Sequence, residues 1–217
     1  MIKVGLTGNY YSGQYEIGKL FEDLDVPVFD ADLILKYLIN YSNPHIKQIR
    51  SEIGENSYHM GLLKVNKLTD NKSWNKVIDI VEFDLVKAYE KFRLDHKDEF
   101  YTIFKYSYLF ERKLDKSMDF NVSCHRPKYY RRSDMQTLTY MDIYSVNKLL
   151  ENEMSELFKN KKSDFVIDNY NIGSNANSDI IIGLENKVIN VHKSIMKKKP
   201  QDDYSTLRRN FDLSFWD

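Results

Sequence analysis

The stretch VGLTGNYYSGQY (residues 4–15) decides the fold that we expect for this chain. The apolar run at residues 2–7 is typical of a buried parallel strand, and a helical pattern of apolar side chains follows the stretch. Between them, Gly8 and Gly13 have the spacing of a phosphate-binding loop. In such a loop, backbone N–H groups surround a phosphate at the N-terminus of a helix. The strand, loop and helix together therefore predict a phosphate loop that runs from Gly8 through Ser12 to Gly13.

Two side chains at the end of this loop differ from those of a working phosphate loop. Gln14 stands where a lysine is expected, and Tyr15 stands where a serine or threonine is expected. A neutral amide does not replace a charge-assisted contact worth about 1.5–3 kcal/mol. Loss of a cation aimed at developing phosphoryl charge lowers a rate by about 10²–10³. Two interpretations stay open: an altered nucleotide site, or an inherited loop that binds no nucleotide.

Composition limits the classes of function. The 217 residues, 42% of them apolar, suit one α/β domain with a helical insertion or lid. The charges balance at 32 against 32, so no overall field attracts nucleic acid or an anionic membrane. The single cysteine, Cys124, excludes an internal disulfide and fits a reducing compartment. We therefore expect a soluble, cytoplasmic protein with no membrane contact, no nucleic acid partner and no metal site.

Strand and helix patterns alternate along the chain. Strands are predicted at 2–7, 26–29, 100–106, 120–124 and 164–169. Helices are predicted from 12–14, from Asp32, and at 74–92, 141–160 and 181–195, with short helices and loops at 42–73 and a basic, aromatic loop at 126–137. This alternation predicts a three-layer α/β fold with a parallel central sheet and a helical lid or insertion. We place the domain at 1–197 and a separate C-terminal tail at 198–217.

Three stretches in the same order resemble one protein family. They are VGLTGNYYSGQYEIGKLFEDLDVPVFDAD (4–32), YLFERKLDKSMD (108–119) and KNKKSDFVIDN (159–169). Together they resemble the dephospho-coenzyme A kinases, which phosphorylate the ribose 3′-hydroxyl of dephospho-CoA with Mg-ATP. The resemblance spans nearly the whole chain and implies a P-loop kinase-like fold with a CoA-binding helical region and a lid.

The resemblance also implies roles for acidic residues at the end of the second predicted strand. Asp32 matches the aspartate taken as the catalytic base of the family, and Asp30 matches its partner. Glu111 and Lys159 match further family positions. From the residues alone, helix capping explains Asp30 and Asp32 as well as a catalytic role does.

Departures from the family pattern cluster on charged and polar positions. Besides Gln14 and Tyr15, Lys105 stands where the family has an aspartate, and the segment Leu149–Glu153 lacks an arginine and a glutamine. We interpret the protein as a catalytically degenerate relative with a binding or structural role, in a viral assembly for example, and expect no cofactor. The alternative is an active kinase for dephospho-CoA or a nucleotide, which uses ATP and Mg through an altered site. Lys105, Arg131 and Arg132 would then supply the missing positive charge.

The tail is predicted to contact a protein partner or a second copy of the chain. Its candidate anchors are Arg208, Phe211, Phe215 and Trp216, because aromatic and arginine side chains are enriched at interfaces. The competing interpretation is that the tail folds back over its own core.

Overall fold

A parallel five-stranded sheet forms the centre of the molecule in a computed structural model that describes residues 1–64, 71–139, 142–170 and 178–198. Its strands are β1 (Ile2–Gly8), β2 (Val28–Asp30), β5 (Tyr101–Lys105), β6 (Phe120–His125) and β7 (Phe165–Asp168). The spatial order is β2-β5-β1-β6-β7, and every neighbouring pair is parallel. A separate antiparallel hairpin joins β3 (Tyr58–His59) to β4 (Leu62–Leu63). All five strand segments predicted from the sequence are confirmed to within two residues at each end.

Helices cover both faces of the sheet. They are α1 (Gln14–Glu22), α2 (Ala31–Tyr41), α3 (Asn43–Ile53), α4 (Asn71–Asp95), α5 (Lys128–Thr139), α6 (Ile143–Glu151), α7 (Glu156–Lys162) and α8 (Ser178–Met196). Side chains that alternate along the strands point to opposite faces of the sheet and form two cores. Phe29 and Phe104 pack under α2 to α4, whereas Val4 and Ile103 pack under α1 and α8. This alternation follows from the period of two along a strand. It produces the three layers expected from the sequence.

Hydrophobic periodicity explains the long helix α4. Val77, Val81 and Leu85 are fully buried, and Ala88 and Phe92 pack against the same core. These are the residues of the predicted apolar stripe, so the stripe faces the sheet as a helical period of 3.6 requires. No helix within the described part of the chain is both long and apolar enough to cross a membrane.

The basic segment 126–137 was predicted to be a loop, and that prediction is wrong. Most of it forms α5, which begins after Pro127 and packs Met135 against Val146 and Leu150 of α6. The pattern was missed because this small core takes only one large apolar residue from the segment. The second anchor of α5 is Arg131, which is buried by ion pairing rather than by hydrophobic contact.

The predicted helix at 141–160 is two helices. The chain leaves α6 after Glu151 and starts α7 at Glu156, and the bend between them brings Glu153 and Met154 against the loop that follows β1. The tail proposed as a partner-binding segment lies, from residue 199 onward, outside the described residues.

Candidate nucleotide-binding site

The loop between β1 and α1 has the backbone of a phosphate loop. Tyr11 and Gly13 both have left-handed backbones, with φ of 59° and 93°. Only glycine adopts such a conformation without strain, which explains Gly13. A Cβ atom on Gly8 would lie 2.2 Å from Ser12 Oγ, so a side chain at Gly8 is excluded by close packing. The two glycines of the motif therefore hold the chain in a tight turn at the start of α1.

Gln14 faces a neighbouring strand end. Its Nε2 donates a hydrogen bond of 2.6 Å to Ser107 Oγ, and its Oε1 is buried without a hydrogen-bond partner among the described residues. Ser107 in turn donates from Oγ to Asp32 Oδ2 at 3.0 Å, and its backbone N–H donates to both Asp32 oxygens at 3.2 Å. A chain of hydrogen bonds therefore connects the loop to Asp32 through Ser107, a residue that the sequence interpretation did not single out.

Asp32 and Asp30 have different environments. Burial raises the pKa of Asp32 to about 6, although the Ser107 N–H and the nearby Lys105 ammonium act in the opposite direction. Asp30 caps α2 instead, where its Oδ1 accepts from the Leu33 N–H at 3.0 Å. The helix-cap interpretation is therefore correct for Asp30, whereas the Asp32 carboxylate accepts hydrogen bonds from Ser107.

Lys105 pairs with Asp30 beneath the first turn of α1. Its Nζ lies 2.7 Å from Asp30 Oδ2 and 5.6 Å from the centre of the Tyr15 ring, and the side chain is only 7% exposed. A crevice of about 470 Å³ opens beside this pair at the β2 edge of the sheet and is also lined by Lys19 and Phe92. The lysine thus carries a nearly buried charge that faces a solvent-filled space.

The two positions that hold Mg²⁺ in phosphate-loop enzymes do not suit a metal here. Those enzymes use the hydroxyl after the loop lysine and an aspartate on a neighbouring strand. By the family resemblance, Tyr15 and Lys105 stand at these two positions, and Lys105 ends β5, the strand beside β1. Lys105 alone would repel a divalent ion about 4 Å away by about 8 kcal/mol at an effective dielectric constant of about 20, and the Asp30 carboxylate that pairs with it offsets part of this repulsion. Across residues 1–64, 71–139, 142–170 and 178–198, no three Asp, Glu, His or Cys side chains are placed to hold a metal ion.

Lys159 lies on the other side of the loop. It is 3% exposed, and its Nζ lies 2.9 Å from Glu111 Oε1 and donates to the Ser107 carbonyl at 2.8 Å. A cavity of about 270 Å³ adjoins this pair, and its wall includes Tyr108 and Trp74, whose rings lie 5.9 Å apart. Three buried atoms in the cavity wall have no hydrogen-bond partner in the described chain: Asn9 Oδ1, Trp74 Nε1 and Glu111 Oε2. These atoms give the cavity both donors and acceptors for a polar ligand.

Arg131 and Arg132, the two arginines predicted to supply positive charge to the site, have different environments. Arg131 is 1% exposed, and its Nη1 donates at 2.9 Å to the Tyr10 carbonyl and to both oxygens of Glu153. Arg132, the next residue of α5, is exposed to solvent. Glu153 Oε1 also accepts from the Tyr10 N–H at 2.7 Å. Burial raises the pKa of Glu153, although Arg131 opposes that shift.

The Glu153 carboxylate therefore accepts a hydrogen bond from a backbone N–H group of the phosphate loop. Glu153 was noted in the sequence only as a missing glutamine, and its position at the loop depends on the bend between α6 and α7. Of the predicted nucleotide-binding residues, Gly8, Ser12, Gly13, Gln14, Tyr15, Lys105 and Arg131 gather around the loop, whereas Arg132 makes no contact with it that the structure records.

Known proteins resemble this chain in both sequence and structure. A family model described as dephospho-CoA kinase matches residues 2–174. The dephospho-CoA kinase of Rickettsia felis is 28% identical over 171 residues, which cover 77% of this chain and 87% of that protein. The solved structure of TT1252 from Thermus thermophilus aligns with a TM-score of 0.71 at 17% identity and covers 91% of this chain and 98% of that one. Dephospho-CoA kinase from Campylobacter jejuni aligns with a TM-score of 0.52 at 13% identity over 89% of this chain and 96% of that one. The P-loop kinase-like fold expected from the sequence is confirmed.

Proposed function

Because the chain belongs to the dephospho-CoA kinase family, we propose that it transfers the γ-phosphoryl group of ATP to a hydroxyl group held at Asp32, with dephospho-CoA as the acceptor. The observation that carries this proposal is the environment of Asp32. Its carboxylate is fixed by two groups of Ser107 at the carboxyl end of a parallel sheet, where such sheets bind ligands. Family membership and the environment of Asp32 together favour the active kinase over the degenerate relative that the loop residues suggested.

Asp32 fits the role of general base. A base works best when its pKa is near the operating pH, because it is then largely ionised and still accepts a proton. With a pKa of about 6, Asp32 is mostly ionised at pH 7 and accepts the proton of the acceptor hydroxyl as that oxygen attacks phosphorus. The Ser107 N–H and Oγ–H orient the carboxylate and stabilise its charged form before the transfer.

The donor phosphates are assigned to the loop after β1. Its backbone N–H groups lie at the N-terminus of α1, where the helix dipole favours negative charge. Lys159 lies against the Gly8 carbonyl at 3.5 Å and supplies a cation on one side of the loop. Lys105 supplies a cation on the other side. The family uses ATP and Mg, and no step proposed for this chain depends on a metal ligand from the protein.

The acceptor is assigned to the cavity beside Ser107. Its volume of about 270 Å³ is near the lower end of the range for small-molecule sites, so it takes one end of an acceptor as large as dephospho-CoA. The aromatic faces of Trp74 and Tyr108 are suited to stack on a base. Glu111 and Lys159 offer an acceptor and a donor to the sugar.

The test is a direct assay with ATP, Mg²⁺ and dephospho-CoA, in which mass spectrometry detects a product heavier by one phosphoryl group. Asp32→Asn should lower the rate by about 10²–10⁴, the usual contribution of a general base. Asp23→Asn, a change at an exposed aspartate after α1, should leave the rate unchanged. Product formation that is equal in the Asp32→Asn variant and the unmodified protein would exclude this role of Asp32.

A second function is favoured by the contact between Glu153 and the loop. A carboxylate on the Tyr10 N–H, together with Gln14 and Tyr15, lowers the affinity of the loop for phosphate. The chain would then act as a binding or structural component, with the tail residues Arg208, Phe211, Phe215 and Trp216 as the contact with a partner or a second copy. Light scattering of the full chain and of a chain that ends at Pro200 tests this, because loss of self-association or partner binding is expected only in the shorter chain.

A further inference from the structure

We propose that Lys105 replaces the metal ion of the phosphate site, so that this protein binds nucleotide phosphates without a divalent cation. The inference rests on the proposed nucleotide site but does not require that phosphoryl transfer occurs. Mg²⁺ at a phosphate loop needs a hydroxyl ligand and an aspartate ligand, and this chain has Tyr15 and Lys105 in their place.

Lys105 lies at the carboxyl end of the parallel sheet, the end at which such sheets bind ligands. Lys105 is the last residue of β5, and its Cα pairs with Leu6 of β1, two residues before Gly8. Its aliphatic stem packs where α1 comes close to the sheet: a Cβ atom added at Gly18 would lie 3.3 Å from Lys105 Cδ. The stem is therefore held between strand and helix, and the ammonium group emerges at the end of the strand beneath Tyr15.

The ammonium retains hydrogen-bonding capacity. A lysine ammonium has three N–H donors, and the ion pair with Asp30 at 2.7 Å engages one of them. Two donors remain for phosphate oxygens, and the crevice of about 470 Å³ between α1 and α2 leaves space beside the ammonium. Asp30 holds the ammonium in place, because its other oxygen is fixed by the Leu33 N–H at the start of α2.

A fixed ammonium has the chemistry for this substitution. A metal at a phosphate site neutralises charge on bridging and terminal oxygens. A lysine does the same as a point charge, without a demand for octahedral oxygen ligands. The ligand class is a nucleoside di- or triphosphate whose terminal phosphates reach the end of β5.

The experiment measures ATP binding by calorimetry in the presence of EDTA and again with Mg²⁺, with no acceptor present. We expect dissociation constants that agree within about twofold in the two conditions. Lys105→Met should weaken binding at least tenfold in EDTA, and Lys105→Arg should retain metal-free binding because it preserves the charge. Lys36→Met is the matched control: Lys36 is exposed on α2 and does not line the crevice, and its loss should change the affinity less than twofold.

Three results would overturn the proposed role of Lys105. They are binding that Mg²⁺ strengthens tenfold or more, binding that Lys105→Met leaves unchanged, and no binding in either condition. Circular dichroism of Lys105→Arg and Lys105→Met confirms that each variant is folded before its affinity is compared. Metal-free binding without phosphoryl transfer to dephospho-CoA would support the role of Lys105 while rejecting the proposed kinase activity.

Discussion

Replacing Arg131 by methionine is expected to lower the free energy of unfolding by about 3–5 kcal/mol, the cost of removing one partner from a buried ion pair. The side chains of Arg131 and Glu153 are 1% and 7% exposed, so solvent offers little compensation to the carboxylate left behind. Glu156 lies 2.8 Å from Arg131 Nε and loses a partner as well. Two carboxylates would then remain near the phosphate loop without their shared cation.

The matched control is the adjacent residue of the same helix. Arg132→Met removes the same charge and adds the same side chain, but Arg132 is exposed and has no ion pair among the described residues. Its effect should stay within about 0.5 kcal/mol. Urea denaturation followed by circular dichroism measures both variants, and a protein of this size should lose about 2–4 °C of melting temperature for each kcal/mol.

A double substitution separates the ion pair from simple packing. When Arg131 and Glu153 are both replaced by methionine, no buried charge is left unpaired between them, so the loss should be smaller than the sum of the two single losses. A cost below about 1 kcal/mol for Arg131→Met, or equal costs for Arg131→Met and Arg132→Met, would refute a buried ion pair. A loss of ATP affinity with unchanged stability would instead assign Arg131 to phosphate binding.

Three further predictions concern single groups. Burial raises the pKa of Asp32 from 3.8 to about 6, so the protonated carboxyl favours the folded state. Its contribution to the free energy of unfolding is therefore greatest below pH 4 and is lost as the pH rises through 6. The loss amounts to at most about 3 kcal/mol. Asp32→Asn should therefore stabilise the protein in denaturation experiments at pH 8 but not at pH 4, and a gain that is the same at both pH values would contradict this. Glu153→Gln should strengthen ATP binding in calorimetry about threefold or more, since it removes a negative charge from the Tyr10 N–H, whereas Glu151→Gln at an exposed site should not. Cys124 is buried and its pKa is raised to about 12, so a thiol reagent at pH 8 should modify it only after denaturation; rapid modification of the folded protein would show that the thiol is accessible.

Local patterns in the sequence determined the layers of this protein. Apolar runs and their periods predicted the five strands of the sheet, the stripe of α4 and the turn at Gly8 and Gly13, because each depends on residues close together in the chain. The order of the three matching stretches along the chain indicated the family. These features agree with the structure because a buried strand or an amphipathic helix is recognisable from its own side chains.

Tertiary structure alone decided which partner each charged group has. The sequence left helix capping open for both Asp30 and Asp32, yet Asp30 caps α2 and Asp32 accepts hydrogen bonds from Ser107, which is 75 residues away. Arg131 and Arg132 are neighbours, yet only Arg131 is buried, since its partner Glu153 is brought to it by the bend after α6. Ion pairs and hydrogen bonds between distant residues leave no local period in a sequence, because their energy depends on burial and distance that only the folded chain defines.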